Sequence, residues 1–197
     1  DNFQNTAVSK TDTETENVTE KTILTLTKSA KDGSSGSPAK SITVSSTNDV
    51  YYVETLSVTN GSLTNVKLSD SGCNIATRST KSGDNATVGT LETSETWTYE
   101  CHVGTMTSSD SPDSTAYGTD ANGTKIYSNT DSATVTVNTP GLLLTVEPNK
   151  EYVIVGQNDN IKYTVKNTGN VQFTEFTGSD TNCTTSGALH RSGTLDP

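Results

Sequence analysis

An all-β sandwich with a thin apolar core is the fold class this sequence predicts, on three observations. Short runs of alternating apolar and polar residues recur about every 8 to 12 residues, separated by Gly, Asn, Asp and Ser clusters, which is the spacing of sandwich strands and their turns. Thr makes up about a fifth of the chain, far above ordinary usage, and this β-branched residue suits the wet face of a sheet. No window carries a helical stripe. Only 29% of residues are hydrophobic and the mean hydropathy is −0.55, so disorder is the first alternative. Disordered chains owe their polarity to charge or Pro, whereas here charged residues are 18% and Pro numbers 5.

The alternation places strands near Ile23 to Lys28, Ser41 to Ser45, Val50 to Thr59, Thr64 to Ser69, Ala86 to Leu91, Thr96 to Val103, Thr115 to Thr119 and Ser132 to Asn138. Asp120-Ala121-Asn122-Gly123 is a tight turn whose Asn-Gly tolerates positive φ, so a hairpin is expected around it. The stretch Glu95 to Val103 holds the single Trp and one of three Cys. Strand alternation puts Trp97, Tyr99, Cys101 and Val103 on one face and Thr96, Thr98, Glu100 and His102 on the other. Trp97 and Tyr99 are therefore the expected core anchors. A Tyr two residues before a Cys is also where sandwich domains place a corner tyrosine and a core disulfide.

The formal net charge of −10 and a pI near 4.5 argue against a nucleic-acid backbone or an anionic lipid surface as partner. No apolar run reaches the ~18 to 20 residues needed to span a bilayer, and Asp1 does not open a signal peptide, so the chain is expected to be soluble. Cys73 and Cys101 enclose a loop of 28 residues, whose closure is worth about 3 to 4 kcal/mol on the chain-entropy account. That gain matters to a domain with so little apolar surface. There is no Cys-x-x-Cys, and His102 and His190 have no zinc-ligand spacing. A structural disulfide belongs outside the cytosol.

Self-comparison adds organisation. Leu24-Thr25-Leu26 recurs as Leu144-Thr145-Val146, Asn48-Asp49 as Asn158-Asp159, and Val58-Thr59-Asn60 as Val165-Lys166-Asn167. Leu63-Thr64-Asn65-Val66 recurs as Phe173-Thr174-Glu175-Phe176, Asp70 and Cys73 match Asp180 and Cys183, and Gly89-Thr90-Leu91 matches Gly193-Thr194-Leu195. Asn5-Thr6-Ala7-Val8 resembles Ser114-Thr115-Ala116-Tyr117. Residues 1–20 are thus expected to be the terminal strands of a preceding repeat, 21–139 one complete repeat, and 140–197 the beginning of a further one.

Tyr163-Thr164-Val165-Lys166-Asn167-Thr168-Gly169-Asn170, Glu95-Thr96-Trp97-Thr98-Tyr99-Glu100-Cys101 and Asp131-Ser132-Ala133-Thr134-Val135-Thr136-Val137 resemble the tandem immunoglobulin-like conserved repeats of large extracellular surface proteins. The likeness covers the full chain. It departs at Asn60-Gly61-Ser62, where the family has a longer turn, and at Leu91-Glu92-Thr93-Ser94, where it has Leu-Asp-Pro-Gly. The resemblance implies tandem Ig-like β-sandwich repeats, a Cys73 to Cys101 bridge, and a stalk, adhesin or filament role. Cys183 is then without a partner in this chain, because the second copy reaches Leu195-Asp196-Pro197 before its own Trp-Tyr-Cys stretch. Either the chain belongs to a longer array or a neighbour's strands complete the sheet. Residues 1–20 contain no Cys or Trp, which favours the array.

No motif for catalysis is present: His102 falls on the wet face and His190 in a loop, and neither has an acid/base partner in sequence. Asp110, Asp113, Asp120 and Asp131 crowd turns and could hold Ca²⁺, but no twelve-residue EF-type loop exists, and turn formation is the plainer reading. No metal or cofactor is expected. Asn-x-Ser/Thr sequons lie at Asn17, Asn60, Asn85, Asn122 and Asn182; Asn60, Asn85 and Asn122 fall in expected turns, and Asn182 abuts Cys183. Covalent glycans are expected at some of them, and O-linked sugar on the Thr-rich faces is a further option. The functional expectation is a non-enzymatic segment of an extracellular, cell-surface stalk or filament, whose partners are neighbouring repeats or copies of itself. The alternative is a surface adhesin domain binding a glycan or host protein through its loops, although aromatic residues are only 6% and no carbohydrate platform is visible.

Overall fold

A computed structural model describes residues 20–182 and 189–197. In chain order the elements are β1 (Ile23–Asp32), β2 (Ser41–Ser45), β3 (Asp49–Thr59), β4 (Leu63–Asp70), α1 (Ile75–Arg78), β5 (Ser79–Ser82), β6 (Thr90–Leu91) and β7 (Thr96–Thr105). They continue with β8 (Asp113–Thr119), β9 (Lys125–Tyr127), β10 (Asp131–Ser132), β11 (Thr134–Asn138), β12 (Leu142–Pro148), β13 (Ile161–Asn167), β14 (Phe173–Gly178) and β15 (Leu189–Leu195). The fold is an all-β sandwich. One layer has the order β1-β3-β7-β5, the other β10-β8-β4-β6 with β9 on β8, and β2 and β11 form a parallel pair. Strands β12 and β13 pair with each other, as do β14 and β15.

Period-2 alternation builds the core. In β7, Trp97, Tyr99 and Cys101 are buried while Thr96 and His102 are exposed, as the sequence predicts. Leu24 and Leu26 of β1, Leu56 and Val58 of β3, and Trp97 and Tyr99 of β7 pack against Leu63, Leu91 and Ala116 of the other layer. A second cluster gathers Ala30, Val50, Tyr52 and Cys101 over Val44, Val135 and Val137 of the β2–β11 pair. Both clusters are small, consistent with the low apolar content.

The differences from the expected strands have local causes. Strand β1 runs on past Lys28 to Asp32, because Lys28 is itself an inward residue at 1% exposure. The expected strand Ala86 to Leu91 shrinks to β6: Gly89 takes φ +86°, and the N–H groups of Asn85, Ala86 and Gly89 donate to the carboxylates of Glu95 and Asp84 instead of a neighbouring strand. The run Ser132 to Asn138 divides at buried Ala133, with β10 pairing β8 and β11 pairing β2. Such a switch between sheets closes a sandwich corner. The short strands β5 and β9 and the single turn α1 carry too few residues to show a periodicity. The hairpin at Asp120 to Gly123 is present, with Tyr117 opposite Tyr127 and the Asp120 carboxylate accepting from the N–H groups of Asn122 and Thr124. His190 lies in β15 opposite Thr177, not in a loop. The pairing with β14 extends this strand through polar residues that give no apolar alternation.

The outer edge of β1 is capped by side chains. Asn129 accepts from the Leu26 N–H and donates to the Leu26 carbonyl, and Asp131 accepts from the Lys28 N–H. An edge that would otherwise invite foreign strands is thereby satisfied within the chain.

Glu95, 8% exposed, fixes the loop before β7: Oε1 accepts from Asn85 and Ala86 N–H at 2.7 and 2.6 Å, and Oε2 accepts the Trp97 indole N–H at 3.2 Å. These donors, led by the Ala86 N–H, hold the Glu95 carboxyl below the usual carboxylate range. A depressed carboxyl stabilises the fold above its unfolded pKa of about 4.3 and loses that contribution as pH falls through its lower folded value. Glu95→Gln is therefore expected to melt below the wild type at pH 7, with the gap closing in more acidic buffer. Paired thermal melts across that range check it, and a gap that widens toward acid contradicts the account.

Candidate functional site

The inward row of β1 reads Leu24, Leu26, Lys28, Ala30, and that of β3 reads Val58, Leu56, Glu54, Tyr52, Val50. Lys28 stands directly opposite Glu54 in the antiparallel register, between the two apolar clusters. Asp70, the last residue of β4, reaches the same point from the other layer. All three side chains are 0% exposed, with Lys28 Nζ 2.7 Å from Asp70 Oδ1 and 3.8 Å from Glu54 Oε1. The Tyr52 ring lies beneath the ammonium, 4.2 Å from Nζ to its centroid, a favourable cation–π position.

The surroundings satisfy this cluster only in part. Asp70 Oδ1 also accepts the Gly72 N–H at 2.7 Å, and Ser114 Oγ donates to Glu54 Oε1 at 3.4 Å. The Tyr52 hydroxyl is buried without a hydrogen-bond partner, at a cost of roughly 1 to 3 kcal/mol, and Glu54 Oε2 and Asp70 Oδ2 have no donor beyond a proton that the two carboxyls share. Burial first, and then the neighbouring Asp70 carboxyl, push the Glu54 carboxyl up to about 8, against the opposing pull of Lys28. Glu54 therefore carries a proton at neutral pH. Burial, helped by the charges of Asp110 and Asp70, also holds the Tyr52 phenol in its neutral form.

The turn that follows Asp70 links the cluster to the disulfide. A Cβ on Gly72 would come within 2.4 Å of Pro112 Cγ, so only Gly lets the chain pass this close and deliver Cys73 to Cys101. The Cys73–Cys101 bridge is present, with Cα atoms 6.4 Å apart. It ties the end of the β4 segment to the centre of β7. Cys183 and Asn17 lie outside the described residues.

The other predicted residues fall as follows. Trp97 and Tyr99 are buried at 2% and 9% exposure. Asn60, Asn85, Asn122 and Asn182 are all exposed and lie outside the strands. Asn60 adopts a left-handed φ of 56° and its side-chain amide donates to the Lys21 carbonyl. His102 stacks on Tyr51, with Nε2 3.4 Å from Asp49 Oδ2. Of the four aspartates expected in turns, Asp113 and Asp131 instead open β8 and β10; Asp131 accepts from Lys28 N–H, Ser132 N–H and the Lys40 ammonium, and Asp120 closes its hairpin turn. Among the described residues no three His, Cys, Asp or Glu side chains are grouped as a metal site requires. No helix among the described residues is long and apolar enough to cross a membrane.

The Lys28, Glu54 and Asp70 cluster is absent from the sequence-derived candidates. Its signal is nevertheless readable: Lys28 and Glu54 occupy inward positions of rows that are otherwise Leu, Val, Tyr and Ala. Charges at two such positions in neighbouring strands predict a buried pair. Known protein families and curated proteins were compared with the chain, and none matches.

Replacing both bridge cysteines (Cys73→Ala with Cys101→Ala) is expected to cost about 3 to 4 kcal/mol, from the loop-entropy relation for a 28-residue span. Equilibrium urea unfolding measures it, and a loss below about 1 kcal/mol means that the denatured chain is not relieved by opening the loop.

Proposed function

We propose that this chain is a segment of an extracellular cell-surface stalk or filament, non-enzymatic, built of Ig-like sandwich repeats in series and carrying N-linked glycans. The observation that carries this reading is the recurrence of strand register. Leu24 pairs with Val58 in β1–β3, and their sequence counterparts Leu144 and Val165 pair with each other in β12–β13. Leu144 and Val146 are 57% and 51% exposed, while Leu24 and Leu26 at the equivalent places are 2% and 1% exposed. An apolar row of this kind gains stability once further strands cover it.

The connection between the two sets of strands is short and tied at both ends. Asn170 donates to the Val137 carbonyl at 2.7 Å and accepts from the Thr139 N–H at 2.7 Å. Pro140 adds its fixed φ. A junction so held restricts how neighbouring repeats tilt, and many in series make a rod. The exposed sequons Asn60, Asn85, Asn122 and Asn182 leave room for glycans without disturbing a strand, and the disulfide suits an oxidising compartment.

Two measurements test the proposal. Electron microscopy of the native array is expected to show thin rods or fibres, with no binding of the intact chain on a glycan array; selective glycan binding would favour the adhesin reading. Native material is expected to lose mass on enzymatic deglycosylation, and a mass equal to that of the polypeptide before treatment contradicts the glycan part.

A further inference from the structure

The Lys28, Glu54 and Asp70 cluster is poorly explained as an ion pair. Two carboxyl groups face one ammonium, and an oxygen of each carboxyl has no donor other than a proton that the two acids share. A buried ion pair is seldom more stable than well-packed apolar side chains of similar size. The chain supplies its own comparison: in β12–β13 the places of Lys28 and Glu54 are taken by Pro148 and Ile161, which pair in the same register. This strand pairing therefore does not require charges there. What the three residues share is reactive geometry, with an amine nitrogen 2.7 Å from a carboxyl oxygen, a second carboxyl within 4 Å, and all three side chains shielded from solvent.

We propose that Lys28 and Asp70 become joined by an amide bond between Nζ and Cγ, with Glu54 as the catalytic residue that carries the protons and water as the leaving group. One proton passes from the ammonium to the Asp70 carboxylate across their hydrogen bond, leaving a neutral amine beside a carboxylic acid. The nitrogen lone pair attacks Cγ and gives a tetrahedral centre with two oxygens. The Glu54 carboxyl donates its proton to one of these as it leaves, and the resulting carboxylate takes a proton from the positively charged nitrogen. The sum is ammonium plus carboxylate giving amide plus one water, with Glu54 returned to its starting state. No oxidant, reductant or cofactor is consumed.

Three features favour the reaction. Strands β1 and β4 of the two facing layers hold the reacting groups within near-attack range, which replaces a bimolecular encounter by an intramolecular one. The closed site disfavours the return of water. The product removes two opposite charges from an apolar interior and leaves a neutral amide, which is cheaper to bury. Burial keeps Glu54 protonated to about pH 8, so the proton that the leaving oxygen needs is in place. Tyr52, whose ring underlies Nζ, walls the site on that side.

The bond would join β1 of one layer to β4 of the other across a span of 42 residues. The disulfide begins three residues further on, at Cys73.

The test is the intact mass of the unglycosylated, recombinantly produced 197-residue chain, folded and then denatured, reduced and alkylated. The expected mass is below that of the polypeptide by one water. Proteolysis is expected to yield a branched peptide in which fragmentation places the loss between Lys28 and Asp70. Lys28→Arg, which keeps the cation, is expected at full mass, and Glu54→Gln is expected at full mass or to lose water far more slowly. Folding of each variant is checked by a cooperative melt. A wild-type chain that forms its disulfide and melts cooperatively, yet keeps its full mass after days at neutral pH, overturns the proposal. So does a water loss mapped to Asp32-Gly33, which marks a cyclic imide instead of a cross-link.

Discussion

The two layers of this sandwich meet over little apolar surface, and the contact on which their alignment depends is Lys28 to Asp70, 2.7 Å apart and closed to solvent. It lies at the level where the Leu24-Leu26-Leu56-Trp97 cluster gives way to the Ala30-Tyr52-Val135 cluster. Without it the two clusters would be separate small cores joined by a charged gap. With it, β1 is fixed to β4 from inside, while Asn129 and Asp131 fix the other edge of β1 through its backbone. The disulfide repeats the same crossing next door, from the turn after Asp70 to β7.

Most of the architecture was legible in the sequence because a strand exposes its pattern over five or more residues. The inward row of β7, the bounds of β2 and the Asp120 to Gly123 hairpin all follow from alternation and turn chemistry. What escaped alternation was short, paired by backbone alone or, for β12 to β15, marked only by its likeness to earlier segments of the chain. Strands β5 and β9 present at most four residues each, and β6 lost its expected length to carboxylates that captured the loop N–H groups. The functional candidates followed the same division. Cys73, Cys101, Trp97 and the turn sequons are residue types that announce themselves. Lys28, Glu54 and Asp70 are ordinary surface residues by type, and only their parity within an apolar row marks them as buried. Reading Lys28 as the end of β1 concealed the one place where the strand carries chemistry.

The placement of these links bears on the proposed stalk. Tension along a series of repeats enters each one through its terminal strands. A bond from Lys28 to Asp70 would carry force past the 42 residues between them, and the bridge from Cys73 to Cys101 past another 28. The two spans adjoin without overlapping, so most of β1 through β7 would be removed from the path of the force. The thin core is then no handicap, because covalent links would do what burial does in richer sandwiches.

Stretching single molecules of the chain from its two ends tests this account most directly. An extended chain gains about 3.3 to 3.6 Å per released residue, so a span of 42 residues is readily resolved from one of 28. The expected result is an unfolding extension that lacks both spans in oxidising buffer and recovers only the 28-residue span when the disulfide is reduced. Release of the 42-residue span in either buffer would contradict the covalent closure of the two layers.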